Sequence, residues 1–393
     1  MTAIKGSSSD TKTYMKKAAF VFLCVALCGG LISCGGAERA KVPSFSSTRF
    51  LMDTVVTIRL QVIPGHQAGR LGAADQEDQP VAPPSQEELE QLVLAAFNRM
   101  EEIAVKTNRH DPAQGSDLQR LAAQAGDGRW LEVSRDTLTI QEEVERLEQE
   151  AAAVLPAATR LVDTSLGKLI DLWMTVRETK VLPRQEEIEA ALALSGMEYI
   201  ERDWAGGKMR LTLAGVGLDY GAVAKGYAVE EAGRILAQAG PAVYGIIDAG
   251  GNIKTIGQKP DGSLWQIGLT DPLKTKELLA SIELTPGQVA ATSGDYQRYE
   301  DIEGRRYHHI LSPVEGWPVW YSHSVTAISS DGLKADYYST LLFLLPVQDA
   351  LELAESIPDL EAIWVTTSGE LFATSGIEDH IKWQDKSGYK LRD

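Results

Sequence analysis

Cysteine is nearly absent from this chain of 393 residues: there are three, Cys24, Cys28 and Cys34, and none follows. A body without thiols has no disulfide framework, no cysteine nucleophile and no Cys-ligated zinc. Basic charge is also scarce. Thirty-eight Lys and Arg stand against 55 acidic side chains, a formal charge of −17, so the surface as a whole cannot neutralise a phosphate backbone, and nucleic acid is excluded as a partner. No repeat of solenoid period is visible, and the apolar stretch from Ala18 to Leu27 is too short to span a bilayer. What is present is ordinary globular material. With 44% apolar and 24% charged residues, the chain has enough core for one large domain or two modest ones.

The beginning has the anatomy of a targeting segment. Lys16 and Lys17 precede the apolar stretch, and the small residues Gly29, Gly30 and Ser33 follow it. Leu31-Ile32-Ser33-Cys34 resembles a bacterial lipobox, in which the cysteine after the cut receives diacylglycerol. Residues 1–33 are therefore expected to be a lipoprotein signal peptide, with translation starting at Met1 or Met15, and 34–48 a tether. The folded domain is expected over 49–393. The mature protein is expected outside the cytoplasm, on the periplasmic side or the cell surface, anchored to a membrane through Cys34.

Hydrophobic periodicity sketches the domain. Phe50 to Leu60 alternates as a half-buried strand does, whereas 62–84 is rich in Pro and Gly without apolar period and reads as a surface insertion. Ser85 with Glu88 forms a capping box, and Leu89, Leu92, Val93, Ala96, Phe97, Met100 and Ile103 repeat at helical spacing behind it. Further helices are expected over about 139–153 and from about Val223 to Ala239, closed by Gly240. Strands are expected near 243–247, 265–269, 307–311, 324–328 and 362–366. Strands and helices interleave irregularly, which favours an α+β fold with mixed sheets.

Four strings are chemically unusual. Leu218 to Gly226 runs from an acid-bearing strand end into a helix start, where free N–H groups and Lys225 can hold an anion; a tight connection is the plain alternative. Asp248-Ala249-Gly250-Gly251-Asn252 lets the backbone pass close to something bulky, or is simply a hairpin. Thr292-Ser293-Gly294-Asp295 is followed by His308-His309, neighbours that point to opposite faces of a strand. On a helix, Asp336, Ser339 and Thr340 share one face and offer hard oxygens of the kind that suit Mg²⁺; a solvated helix face is the plain alternative.

In this order the strings resemble the ApbE family of FAD:protein FMN transferases: LDYGAVAKGYAVEEAGRILAQAG, IIDAGGNIKTIG, ATSGDYQRY, HHILSPVEGWPV, SVTAIS and ADYYSTLLFLL. FLMDTVVTIRL, NRHDP with SDLQRLA, and LVDTSLGKLIDLW agree at the N-terminal side, so the resemblance spans roughly Phe50 to Ile377. It implies FAD as substrate, lying along Met52, His110, Leu161, Val162, Asp163, Asp219, Lys225 and Leu311. It also implies Mg²⁺ held by the Ala222 carbonyl with Asp336, Ser339 and Thr340, and His309 as general base toward a threonine of an acceptor protein, a membrane redox subunit. Asp53 stands where the family has glycine, Ser312 where it has aspartate, and Asp248 with Asn252 look exchanged. Two other readings compete: a metal-dependent FAD pyrophosphatase giving FMN and AMP, and a flavin- or solute-binding lipoprotein.

Overall fold

A computed structural model describes residues 42–63, 83–110, 115–384 and 388–392. The signal segment, the start of the tether including Cys34, and most of the 62–84 insertion lie outside the described residues.

The central sheet consists of β1 (Ser44–Leu51), β2 (Thr54–Val62), β3 (Val243–Ala249), β4 (Asn252–Ile256) and β5 (Val289–Gly294). After the separate hairpin of β6 (Tyr299–Ile302) and β7 (Arg305–His308), it continues with β8 (Ser322–Ser329), β9 (Glu361–Thr366), β10 (Glu370–Ala373) and β11 (Lys390–Leu391). Its nine strands lie in the order β1-β2-β3-β4-β5-β8-β9-β10-β11, antiparallel except for the last pair. One face carries α1 (Gln86–Thr107), α2 (Arg135–Val154), α3 (Ala224–Leu236) and α4 (Gly332–Leu344); on the other, a three-stranded sheet of residues 265–270, 278–284 and 381–383 packs on Ala290, Ile328 and Ile363. The fold is α+β with mixed sheets.

Local chemistry explains the frame. Glu88 N–H donates to Ser85 Oγ and Ser85 N–H to Glu88 Oε2, so α1 starts at the expected capping box, and its apolar stripe is buried. By contrast, α4 is buried on nearly every side, as an apolar helix between a sheet and other helices must be. Its Asp336 and Ser339 are therefore core residues and not a solvated face.

Several expected boundaries move. Phe50 to Leu60 is not one strand: Met52 and Asp53 turn the chain between β1 and β2, both with left-handed φ, 52° and 58°. Asp53 tolerates this conformation as few other residues do, whereas Met52 in it is strained. β1 begins at Ser44, so 44–48 belongs to the sheet and not to the tether. Ser134 caps α2, which starts at Arg135 and not near Thr139. α3 ends at Leu236 and tightens to a 3₁₀ turn over Ala237–Ala239 before Gly240. β7 stops at His308, leaving His309 just outside the ladder.

Candidate active site

One end of the central sheet gathers the unusual strings. Ala291 pairs with Asn252, Thr292 N–H donates to the Gly251 carbonyl, and Gly294 pairs with Ser324. The β1–β2 tip joins them: a Cβ on Gly250 would lie 1.8 Å from Thr54 Oγ1, so only glycine lets these two turns touch.

Above this end, α3 crosses α4 at two glycines. A Cβ on Gly226 would meet the Gly332 carbonyl at 2.1 Å, and one on Gly332 would meet the Gly226 carbonyl at 2.5 Å. The close crossing lets Gly226 N–H donate to Asp336 Oδ2 (2.8 Å), while Lys225 Nζ stands 3.3 Å from Asp336 Oδ1 and 3.4 Å from Asn252 Oδ1. The anion site expected from free N–H groups is corrected here. Gly226 N–H serves Asp336 and Ala224 N–H serves the Tyr220 carbonyl, so positive charge at this turn rests on Lys225. In a regular helix Gly226 N–H would bond the Ala222 carbonyl. Here the first intrahelical bond runs from Tyr227 N–H to Val223, one residue later.

Hydroxyls line the next turn of α4. Ser339 Oγ donates its one proton to the Asp336 carbonyl (2.8 Å), so at 2.9 Å it accepts from Ser293, which in turn accepts from Thr340 at 3.3 Å. Their remaining lone pairs, the Asp336 carboxylate and the Ala222 carbonyl are hard oxygens. Among the described residues no group of three or more His, Cys, Asp or Glu could hold a metal. One carboxylate among neutral oxygens suits Mg²⁺, which completes its shell with water and phosphate, so the residues present fit that ion.

The two histidines separate as strand geometry requires. His308 is buried: Nε2 donates to the Val319 carbonyl (2.6 Å), Nδ1 accepts from Ile310 N–H (3.2 Å), and the ring meets Phe343 of α4 edge-on. Both nitrogens are used by a neutral ring, and burial lowers its pKa. His309 reaches solvent, with Nδ1 against the Arg298 carbonyl at 3.3 Å. Surrounding protein first, then the charges of Arg298, His308 and Lys225, hold its imidazole well below the ordinary histidine range.

Other expected residues form a second group. Asp163 Oδ1 accepts from Ser165 N–H (2.7 Å) and Oγ (2.6 Å), and burial raises its pKa. Asp219 N–H donates to the Thr164 carbonyl (2.8 Å), its Oδ1 accepts from Gly221 N–H (2.7 Å), and its Oδ2 lies 3.6 Å from Arg109. Arg109, missed in the sequence, ties these segments by donating to the carbonyls of Leu218 (3.1 Å) and Gly167 (2.9 Å). Val162 and Leu311 are buried, Leu311 in an apolar cluster with Leu166, Leu169 and Trp173. Met52 and Leu161 are half-buried and His110 is exposed. No hydrogen bond or ion pair joins Met52 or His110 to the Asp336 group among the described residues. Ser293 was visible only as part of a small polar string, and Asn252 only as a turn residue.

A family model described as the ApbE family matches residues 52–364. The chain is 32% identical over 260 residues to a protein of Klebsiella pneumoniae named FAD:protein FMN transferase, covering 66% of this chain and 80% of that one. A Treponema pallidum protein of the same name is 26% identical over 379 residues, covering 93% and 95%. Among solved structures, the ApbE protein of Thermotoga maritima superposes with a TM-score of 0.68 at 27% identity, covering 85% of this chain and 97% of that one.

Proposed function

The chain belongs to the ApbE family, and we propose that, as an FAD:protein FMN transferase, it moves FMN from FAD to a threonine hydroxyl of an acceptor protein in a Mg²⁺-dependent reaction that releases AMP. The observation that carries this reading is the convergence of Lys225, Asp336 and the Ser293–Ser339–Thr340 hydroxyls at one end of the sheet, with the exposed His309 as the proposed base. FAD is the substrate, with contacts proposed along Met52, His110, Leu161 to Asp163, Asp219, Lys225 and Leu311.

In the reaction the acceptor oxygen forms a bond to the FMN phosphorus, the P–O bond to the AMP phosphate breaks, and the hydroxyl proton leaves. Lys225 neutralises the pyrophosphate. His309 takes the proton, which its neutral ring can accept at any physiological pH. Asp336, Ser339, Thr340 and the Ala222 carbonyl would hold Mg²⁺, which supplies charge neutralisation at the phosphates. The acceptor is proposed to be a membrane redox subunit, reached by an enzyme tethered outside the cytoplasm through lipidated Cys34.

Mass spectrometry after incubation with FAD, Mg²⁺ and an acceptor tests the reading. An acceptor carrying an FMN adduct on threonine is expected, and excess EDTA should abolish it. Free FMN and AMP with unmodified acceptor would identify a pyrophosphatase instead, and turnover undiminished in EDTA would remove the metal.

A further inference from the structure

Lys225 lies between two oxygens, and both contacts are long. Its ammonium is 3.3 Å from Asp336 Oδ1 and 3.4 Å from Asn252 Oδ1, whereas a firm charge-assisted bond runs at about 2.7–2.9 Å. Asp336 is fixed through its other oxygen, which accepts from Gly226 N–H at 2.8 Å. Oδ1 is therefore the oxygen left to face a cation.

Asn252 is the less satisfied partner. It is 1% exposed, its oxygen is turned to Lys225, and its Nδ2 has no hydrogen-bond partner. A desolvated donor without a partner is costly. The amide orientation follows from the ammonium, since the reverse orientation would set donor against donor. Lys225 itself has a way out: its side chain keeps 24% of its exposure, against 5% for Asp336.

We propose that Asn252 is a cation ligand of this site and that the Lys225 ammonium marks the slot between Asp336 Oδ1 and Asn252 Oδ1, from which a divalent ion displaces it. Two cations cannot share Oδ1 without repulsion, and the one on a flexible stem moves. The released lysine reaches the substrate side, where it meets the pyrophosphate. Cation and FAD then favour each other's binding through Lys225. Only the identity of the cation rests on the transferase reading.

The test is Mn²⁺ binding to the full-length protein without FAD, read from the electron paramagnetic resonance of free Mn²⁺. Lys225→Met should tighten Mn²⁺ by about tenfold or more by removing the internal competitor, and Asn252→Leu should weaken it by about as much. Lys225→Arg, which keeps the charge, should stay near wild type. In the Lys225→Met background Asn252→Asp, of nearly the same shape, should tighten Mn²⁺ further, which keeps the ligand claim open to refutation if the leucine variant does not fold. Unchanged or weaker Mn²⁺ binding in Lys225→Met overturns the displacement, and insensitivity to Asn252→Asp overturns the ligand. Wild type that transfers FMN while these variants behave alike defeats this inference alone; variants that behave as expected in a protein that transfers nothing defeat the transferase reading alone.

Discussion

At the scale of single residues, two adjacent histidines divide a buried structural role from the proposed catalytic one. His308 spends both nitrogens on backbone groups and packs on Phe343, so His308→Ala should lower unfolding free energy by about 1–3 kcal/mol, measured by denaturant titration. Because its folded pKa is depressed, the unfolded state binds more protons below the ordinary histidine pKa of about 6.5. The stability it contributes is full above that value and is lost as pH falls toward the folded pKa. The denaturation midpoint of wild type should therefore drop on acidification below about pH 6.5, and less so in His308→Ala. At about pH 7–8, where both folded and unfolded states hold the ring neutral, His309→Ala should leave the midpoint in place and lower transfer by roughly 10²–10⁴-fold, the contribution of a positioned base. Its depressed pKa also means that transfer should be flat from about pH 6 to 8, with the rising limb at lower pH. A limb centred near 6.5 that disappears in His309→Ala would show an ordinary imidazole and contradict the electrostatics of Arg298 and Lys225. The opposite-face argument from sequence anticipated that one of the pair is buried and the other exposed. It could not anticipate that His309 stands beyond the strand end, because strand length is set by pairing with β6.

At the scale of elements, legibility follows how local the cause is. The Ser85–Glu88 cap and the apolar stripe of α1 are contained within the segment itself, and the structure reproduces them. The Met52–Asp53 turn is not. Asp53 tolerates a left-handed backbone but Met52 does not favour one, and the turn is held because β1 pairs with β2 and β2 with β3, which brings Thr54 against Gly250. The burial of Asp336 was illegible for the same reason: a polar i, i+3, i+4 face looks solvated until α3 is laid on it. That crossing depends on glycine. In Gly226→Ala the new methyl would meet the Gly332 carbonyl at 2.1 Å and Asp336 Cβ at 2.5 Å, and these atoms belong to backbone or to a fixed carboxylate. The helices must separate, which should cost about 1–3 kcal/mol of stability. It should also break the Gly226–Asp336 bond and weaken FAD binding, measured by flavin fluorescence. A melting temperature and FAD affinity both at wild-type level would mean that the crossing does not set the site.

At the scale of the whole molecule, order of motifs carried more than any motif. Each string around Lys225, Asn252, Ser293 and Asp336 has a bland reading, and only folding brings them from four separate segments to one sheet end. The acidic balance of −17 is compatible with the proposed role of Lys225, since a phosphate-binding site needs local and not global charge. It also bears on the proposed anchor, because an acidic protein gains nothing from anionic lipid, so attachment to a membrane would rest on acyl chains. No described helix is long and apolar enough to cross a membrane. If Cys34 carries the lipid, Cys34→Ser should appear in the soluble fraction or remain unprocessed with its leader, whereas wild type should stay with membranes through high-salt washing. Each buried CH₂ contributes about 0.8 kcal/mol, so two or three chains hold against washing while electrostatic adhesion does not. Wild type released by salt would place the protein on the membrane by charge or through a partner, and the lipobox assignment would fall. Transfer by the released Cys34→Ser protein to a soluble acceptor should match wild type, because β1 begins ten residues past that cysteine and every proposed site residue lies beyond it.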